Sequence, residues 1–267
     1  MYKTNLRIHI AFVGFEVDRI VLPAKERRAD KVYLMVDDNS VRDKSLRFID
    51  KAKTILEESR IEYELVHHDR LSLFNIIKTV RIVIENEKNN IVYVNLASGS
   101  KMQAIGGMMA SMMFNEQDNV VPFYVEAKKY AESNAAGDIP ELSKGIKKIM
   151  DIPSYEIQKP SDRLIKALKI VYDRAKTQNG SSSRISKKDM AQQCILAGAI
   201  EGSPDSIAHA EFASMDKNII QPLKNNWKFI TETKIGRTRY IEITDDGKNA
   251  AQFLVLDDND ISDSIHN

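Results

Sequence analysis

Val92-Tyr93-Val94-Asn95-Leu96-Ala97-Ser98-Gly99-Ser100-Lys101-Met102 is the stretch on which the reading of this chain turns. Its apolar run stops at Asn95, and a loop of small residues follows. From Ser100 a helical spacing runs through Ala104, Ile105, Met108, Met109, Met112 and Met113. The pattern predicts a strand, a short loop and a helix N-terminus. Backbone N–H groups without helical partners, two hydroxyls and a lysine gather at one point, which suits an anion, phosphate above all. Lys101 falls in the first helical turn, where the helix dipole disfavours a cation unless an anion is bound. The loop is neither a GxxxxGK[ST] phosphate loop nor a GxGxxG dinucleotide loop.

Around this stretch the apolar pattern alternates between two periods. Residues 6–13 read as a strand closing on Gly14, followed by a short helical or irregular piece that stops before Pro23. Strands are expected over 31–36, 62–67, 91–95 and 120–125, with Pro122 marking an edge or an irregular start. Helices are expected over 40–60, 73–87 and 100–114. Residues 126–137 read as a loop or excursion, and 142–152 as a helix packed on the sheet. Strand–helix alternation with long crossovers predicts an α/β Rossmann-like, mostly parallel sheet covered on both faces. Its ligand crevice lies beyond the carboxyl ends of the strands, where 14–19, 37–39 and 95–101 fall.

A chain of 267 residues, 43% apolar and 29% charged, points to two globular domains. The net charge of +1 excludes a wholly basic coat protein but not a local basic face. One cysteine, Cys194, excludes an internal disulfide, and no apolar run is long enough to span a bilayer. A cytoplasmic, reduced setting is expected.

The second half reads differently. Pro153 and Pro160 bracket a linker, and helices follow over 161–176, 187–197 and onward to 225, the last interrupted by Pro222. Ser186 reads as an N-cap, and 178–183 and 202–205 as loop and turn. Strands over 227–233 and 238–243 flank Lys234-Ile235-Gly236-Arg237, a basic hairpin tip, and a last helix opens after Thr244. Residues 160–256 carry 15 Lys/Arg against 11 Asp/Glu. This is the order of a winged helix-turn-helix, a DNA-binding module. The expected organisation is a ligand-binding sheet domain over 1–155, a DNA-binding domain over 156–256, and an acidic disordered tail over 257–267.

The stretch 237–247, Arg-Thr-Arg-Tyr-Ile-Glu-Ile-Thr-Asp-Asp-Gly, resembles the wing and final strand of bacterial and archaeal winged-helix regulators. The first domain is similar to CARF (CRISPR-associated Rossmann fold) domains, above all to an archaeal CARF-like group that carries a winged helix. The matching residues are the first strand with its loop, 9–19, and the loop 95–102. Ala97-Ser98 stands where Thr-Gly is common in that family. The resemblance implies a homodimer with one symmetric pocket for a cyclic oligoadenylate. It implies a ligand-responsive transcriptional regulator that binds double-stranded DNA, with no cofactor beyond a nucleotide effector. A second reading is a ring nuclease that cleaves its cyclic ligand, helped by positioning and by Lys101. A third is a protein-interaction module with an empty crevice.

The candidate ligand-binding residues are Gly14, Phe15, Asp18, Arg19, Asn95, Ala97, Ser98, Gly99, Ser100 and Lys101. Arg19 would contact phosphate and Phe15 would stack on a base. Asp37-Asp38-Asn39 reads first as a cap of the long helix and second as a ribose site. Gly106-Gly107 reads as a close-packing point, in the core or at a dimer face. His67 and His68 are neighbours on a strand and point to opposite faces, so they do not form a metal site. Candidate DNA-binding residues are Ser206, His209, Ser214, Lys217 and Asn218 on the third helix and Lys234, Arg237 and Arg239 on the wing. No catalytic or metal-ligating residue is assigned.

Overall fold

The computed structural model describes residues 5–39, 41–131, 140–177, 183–204 and 206–256. Ser40, part of the 126–137 excursion, most of the polar loop at 178–183, Asp205 and the acidic tail lie outside the described residues. The chain forms two compact units, residues 1–157 and 158–256.

The first unit is a six-stranded sheet in the order β3-β2-β1-β4-β5-β6. Its strands are β1 (Arg7–Phe12), β2 (Lys31–Asp37), β3 (Glu62–His68), β4 (Ile91–Asn95), β5 (Val120–Tyr130) and β6 (Ser143–Asp151). The first five run parallel, and β6 joins β5 antiparallel. The helices are α1 (Asp18–Glu26), α2 (Leu46–Glu58), α3 (Leu73–Asn86) and α4 (Lys101–Met113). Helices α1 and α2 bury Ile20, Val21, Phe48 and Leu56 against Ala11, Val32 and Leu34 of one sheet face. On the other face a Cβ at Gly107 would meet Phe12 of β1 at 2.9 Å, and one at Gly106 would meet Ile76 of α3 at 2.6 Å. The glycine pair therefore closes α4 onto the sheet and α3 within one chain, not onto a second copy.

The structure differs from five of these expectations. Helix α1 runs through Pro23 to Glu26 instead of stopping before it. Proline has no N–H to donate to the carbonyl four residues back, that of Arg19. The Asn95 side chain supplies the missing donor, Nδ2 to the Arg19 oxygen at 2.8 Å. Helix α2 begins at Leu46, so Asp37–Asn39 do not cap it. Residues 126–130 continue strand β5, and residues 143–151 form strand β6 instead of a helix. The register explains the misreading. Glu126 pairs with Lys148 and Ala127 with Ile146, so Lys147 is an extra, bulged residue. A bulge turns the two-residue strand period into a spacing of three, and Ile146 and Ile149 both pack on the Phe123–Val125 cluster. In sequence that spacing looks helical. Pro122 lies on an interior strand near its start, not at an edge. Strand β6 ends at Asp151, directly opposite Phe123, so the missing Pro122 donor falls at the end of the β6 ladder.

The second unit holds α5 (Asp162–Thr177), β7 (Ile185–Ser186), α6 (Lys187–Leu196), α7 (His209–Met215), β8 (Ile230–Ile235), β9 (Thr238–Ile243) and α8 (Asp245–Leu254). Strands β7, β9 and β8 form one antiparallel sheet; the two residues of β7 are too few to leave an alternation in the sequence. Leu168, Met190, Cys194, Ile219, Leu223 and Ile241 meet in its core. The Ser186 hydroxyl caps α6 by accepting from the Asp189 N–H at 3.1 Å. Pro222 does not end the third helix. The backbone widens into π-helical turns over Asp216–Ile220 and Pro222–Asn226, with the Gln221 N–H reaching the Asp216 carbonyl and the Trp227 N–H that of Pro222. Strand β8 starts at Ile230, three residues later than the alternation suggests. Among the described residues no helix is long and apolar enough to cross a membrane.

Candidate ligand crevice and DNA-facing cleft

Strand β1 lies between β2 and β4, and the chain leaves it in opposite directions at their carboxyl ends. This is the switch point at which an open α/β sheet forms its crevice. The loops after β1 and β4 meet there. A Cβ on Gly14 would stand 2.8 Å from the Gly99 nitrogen, so only glycine permits the approach. Gly99 itself has φ +79°, and a Cβ there would strike Phe12 at 2.7 Å. Ser98 is buried and its hydroxyl donates to the Phe12 carbonyl at 2.7 Å. Ala97 packs in the apolar cluster with Phe123 and Val125.

The α4 N-terminus is ordered by a capping box. The Ser100 hydroxyl accepts from the Gln103 N–H at 3.2 Å, and the Ser100 N–H donates to Gln103 Oε1 at 2.7 Å. With Oε1 so used, the Gln103 amide presents Nε2 to His68 Nε2 at 2.9 Å. His68 therefore accepts, and its proton sits on Nδ1. Burial lowers the His68 pKa to about 4, which keeps the ring neutral. The β4 loop is thus tied through Gln103 to the end of β3. Lys101 and Met102, the first two helical residues, carry side chains exposed to solvent. Among the described residues their N–H groups have no acceptor and Lys101 has no carboxylate partner. The helix opens with no acidic residue in its first turn. Two N–H groups without an acceptor, the positive end of the helix dipole and the Lys101 side chain thus belong to one first turn, a combination that suits an anion.

The remaining candidates stand differently. Asn95 is fully buried, and both ends of its amide are engaged, by the Arg19 carbonyl and by the Ala97 N–H at 2.9 Å. Arg19 is 4% exposed. Its guanidinium donates to the Val125 carbonyl at 2.7 and 3.0 Å and to Glu16 at 2.8 Å, and stacks over Tyr124. Asp18 accepts from the Gly145 N–H at 2.6 Å. Phe15 packs its ring on Phe48, centroids 5.1 Å apart. Arg19, Asp18 and Asn95 thus fasten α1 to β5, β6 and β4, a role their residue types and spacing do not announce. Beside the crevice, at the ends of β2 and β3, Arg42 forks onto Asp37 at 2.5 and 2.9 Å and reaches Asp69 at 3.0 Å. Burial, the largest single influence, would raise the Asp37 pKa, but the Arg42 hydrogen bonds, the Asn39 N–H and the Arg42 charge together outweigh it and hold the carboxyl below its usual value.

In the second unit a cleft of about 790 Å³ opens between α6, α7 and the wing. His209, Arg237 and Arg239 line it, joined by Lys187 and Lys188 from the first turn of α6. Those two lysines follow the Ser186 cap in sequence, and that signal could have found them. Asp216 lies in the cleft and pairs with Lys187 at 2.5 Å. Arg239 reaches Glu232 at 3.3 Å. Lys234 is exposed on the wing outside the cleft. Ser206 is exposed, and Ser214, Lys217 and Asn218 lie on a different helix face, where Asn218 donates to the Ser214 hydroxyl at 3.1 Å.

Residues 7–130 match the family described as HFX_2341_N:-like, N-terminal. Residues 163–255 match the DUF6293 C-terminal winged helix domain. The uncharacterized protein MJ1513 of Methanocaldococcus jannaschii is 29% identical over 187 residues, 61% of this chain and 55% of that protein. The chain thus spans about half the length of this curated relative. Among solved structures, Enterococcus italicus Csm6 bound to cyclic hexa-2'-fluoro-hexa-dAMP is similar with a TM-score of 0.41 and 11% identity, over 73% of this chain and 50% of that one. Sulfobacillus thermosulfidooxidans Can2 in complex with cyclic tetra-adenylate has a TM-score of 0.40 and 10% identity, over 92% of this chain and 61% of that one. From its sheet order, its switch-point loop and the two family matches, the chain is a Rossmann-like sheet domain similar to the HFX_2341_N:-like N-terminal family, followed by a winged helix domain similar to that of DUF6293.

Proposed function

We propose that this protein is a ligand-responsive DNA-binding regulator. A nucleotide-type anion, of the cyclic oligoadenylate class, binds at the α4 N-terminus across a dimer of the sheet domains. Binding changes how two winged helices engage a two-fold related DNA site. The observation that carries the reading is the presence, in one chain, of a helix start whose Lys101 and Met102 N–H groups have no protein acceptor among the described residues and of a basic cleft in the winged helix. The cleft, bordered by α6, α7 and the wing, presents Lys187, Lys188, His209, Arg237 and Arg239. The resemblance of the loop 95–102 to CARF domains supplies the ligand class, and the two-fold symmetry of a cyclic oligoadenylate supplies the reason for a dimer.

Fluorescence titration of duplex DNA, with and without cyclic oligoadenylates, tests it. Affinity for DNA should depend on the ligand, and Lys101→Ala should abolish that dependence while leaving the melting temperature unchanged. No DNA binding at low salt under any ligand condition sinks the proposal.

A further inference from the structure

The β5–β6 hairpin carries five exposed lysines, Lys128, Lys129, Lys144, Lys147 and Lys148. Among the described residues the nearby carboxylates are already taken. Glu126 pairs with Lys147 at 2.8 Å, Asp151 with Arg27, and Glu141 with Lys51. Asp18 is held by the Gly145 N–H and Glu16 by Arg19. Lys128, Lys129, Lys144 and Lys148 therefore have no acidic partner among the described residues. Lys129 and Lys144 stand directly opposite each other in the antiparallel register. Like charges at such a position repel across about 5 Å and destabilise the ribbon unless an anion lies between or above them. Lysines on the edge strand β6 also guard it against pairing with another chain, but that role gives no reason for Lys129 of β5 to face Lys144.

We infer that this lysine ribbon is a second DNA-contacting surface, which grips the phosphate backbone of double-stranded DNA without reading its sequence. This rests on the regulator reading above. Protein–protein interfaces are depleted in lysine and favour Tyr, Trp and Arg, so a cluster of four unpaired ammonium groups fits a protein partner poorly. Small anionic ligands take concave sites, and the lysines sit on the exposed surface of two strands. Lys129 and Lys144 share one face of the ribbon and Lys128 and Lys148 the other, so a duplex that takes the two-stranded ribbon into its major groove sets a phosphate wall along each face.

The test is the salt dependence of binding by the full-length chain to a mixed-sequence duplex. Replacing Lys128, Lys129, Lys144 and Lys148 by Gln should lower the slope of log affinity against log salt by about 0.9 for each phosphate that is no longer neutralised. The four Lys→Arg replacements should keep the wild-type slope. An unchanged slope in the Gln variant, or an equal reduction in the Arg variant, overturns the inference. An Arg237→Ala/Lys188→Ala chain separates the two claims. If it binds like wild type while the Gln variant does not, the winged-helix reading fails and the ribbon stands. If only the Arg237→Ala/Lys188→Ala chain binds more weakly, the ribbon fails alone. No DNA binding by the wild-type chain overturns both.

Discussion

Asn95→Leu should destabilise the sheet domain through a defect created by a proline far away in sequence. Pro23 leaves the Arg19 carbonyl without a helical donor, and the fully buried Asn95 amide fills it at 2.8 Å. Leucine has nearly the same volume but strands that carbonyl and also the Ala97 N–H. Each unpaired buried group costs about 1–3 kcal/mol, so the expected loss for the two is about 2–6 kcal/mol. Pro23→Ala restores a backbone N–H aimed at the same carbonyl. In that background Asn95→Leu should cost at least about 1 kcal/mol less. Urea denaturation followed by far-UV circular dichroism measures both single variants and the double. The sole tryptophan, Trp227, lies in the winged helix, so its fluorescence provides an internal control that should not move. If the two substitutions add to within about 0.5 kcal/mol, Asn95 does not compensate Pro23 and the reasoning is refuted.

Other outcomes follow from single interactions. Gly14→Ala would force a methyl to 2.8 Å from the Gly99 nitrogen, and neither backbone can yield without parting the two crevice loops. A loss of about 1–3 kcal/mol in denaturant unfolding is expected. Burial drives the His9 pKa down to about 3, helped by the Arg27 and Arg7 charges, and the His68 pKa to about 4. Both rings stay neutral when folded but take up protons near pH 6.5 when unfolded. Stability is therefore fully present above about pH 6.5 and falls as pH drops from there toward 4, each ring contributing roughly 1.4 kcal/mol per pH unit. Urea midpoints measured across that window check it, and His68→Gln should flatten part of the fall. Lys188→Ala and Arg237→Ala should each weaken DNA binding evenly across sequences and reduce the salt slope by about 1, read by anisotropy titration.

Much of the fold is legible in the sequence because its signals are local. The run into Asn95, the small-residue loop and the Ser100 cap predict β4, the crevice loop and α4 within a residue or so. Ser100 with Gln103 three residues later is a capping-box signature in the sequence itself. The wing is legible for the same reason: alternation on both sides of Gly236, whose φ of +60° the turn requires.

What the sequence by itself determined was therefore the strand–loop–helix at 92–113, the parallel order of alternating elements and the winged helix after the linker. Period, caps and turn residues encode these within a few positions of each other. Tertiary structure alone decided the rest. Pro23 reads as a stop until Asn95, 72 positions along the chain, is seen to supply its missing donor. Ile146 and Ile149 read as a helix until the bulge at Lys147 appears against β5. Arg19 reads as a phosphate ligand until the Val125 carbonyl, brought alongside by the sheet, is found to hold it. Each depends on a partner distant in sequence, and a hydrogen bond or strand register made at long range leaves no periodic trace in the chain.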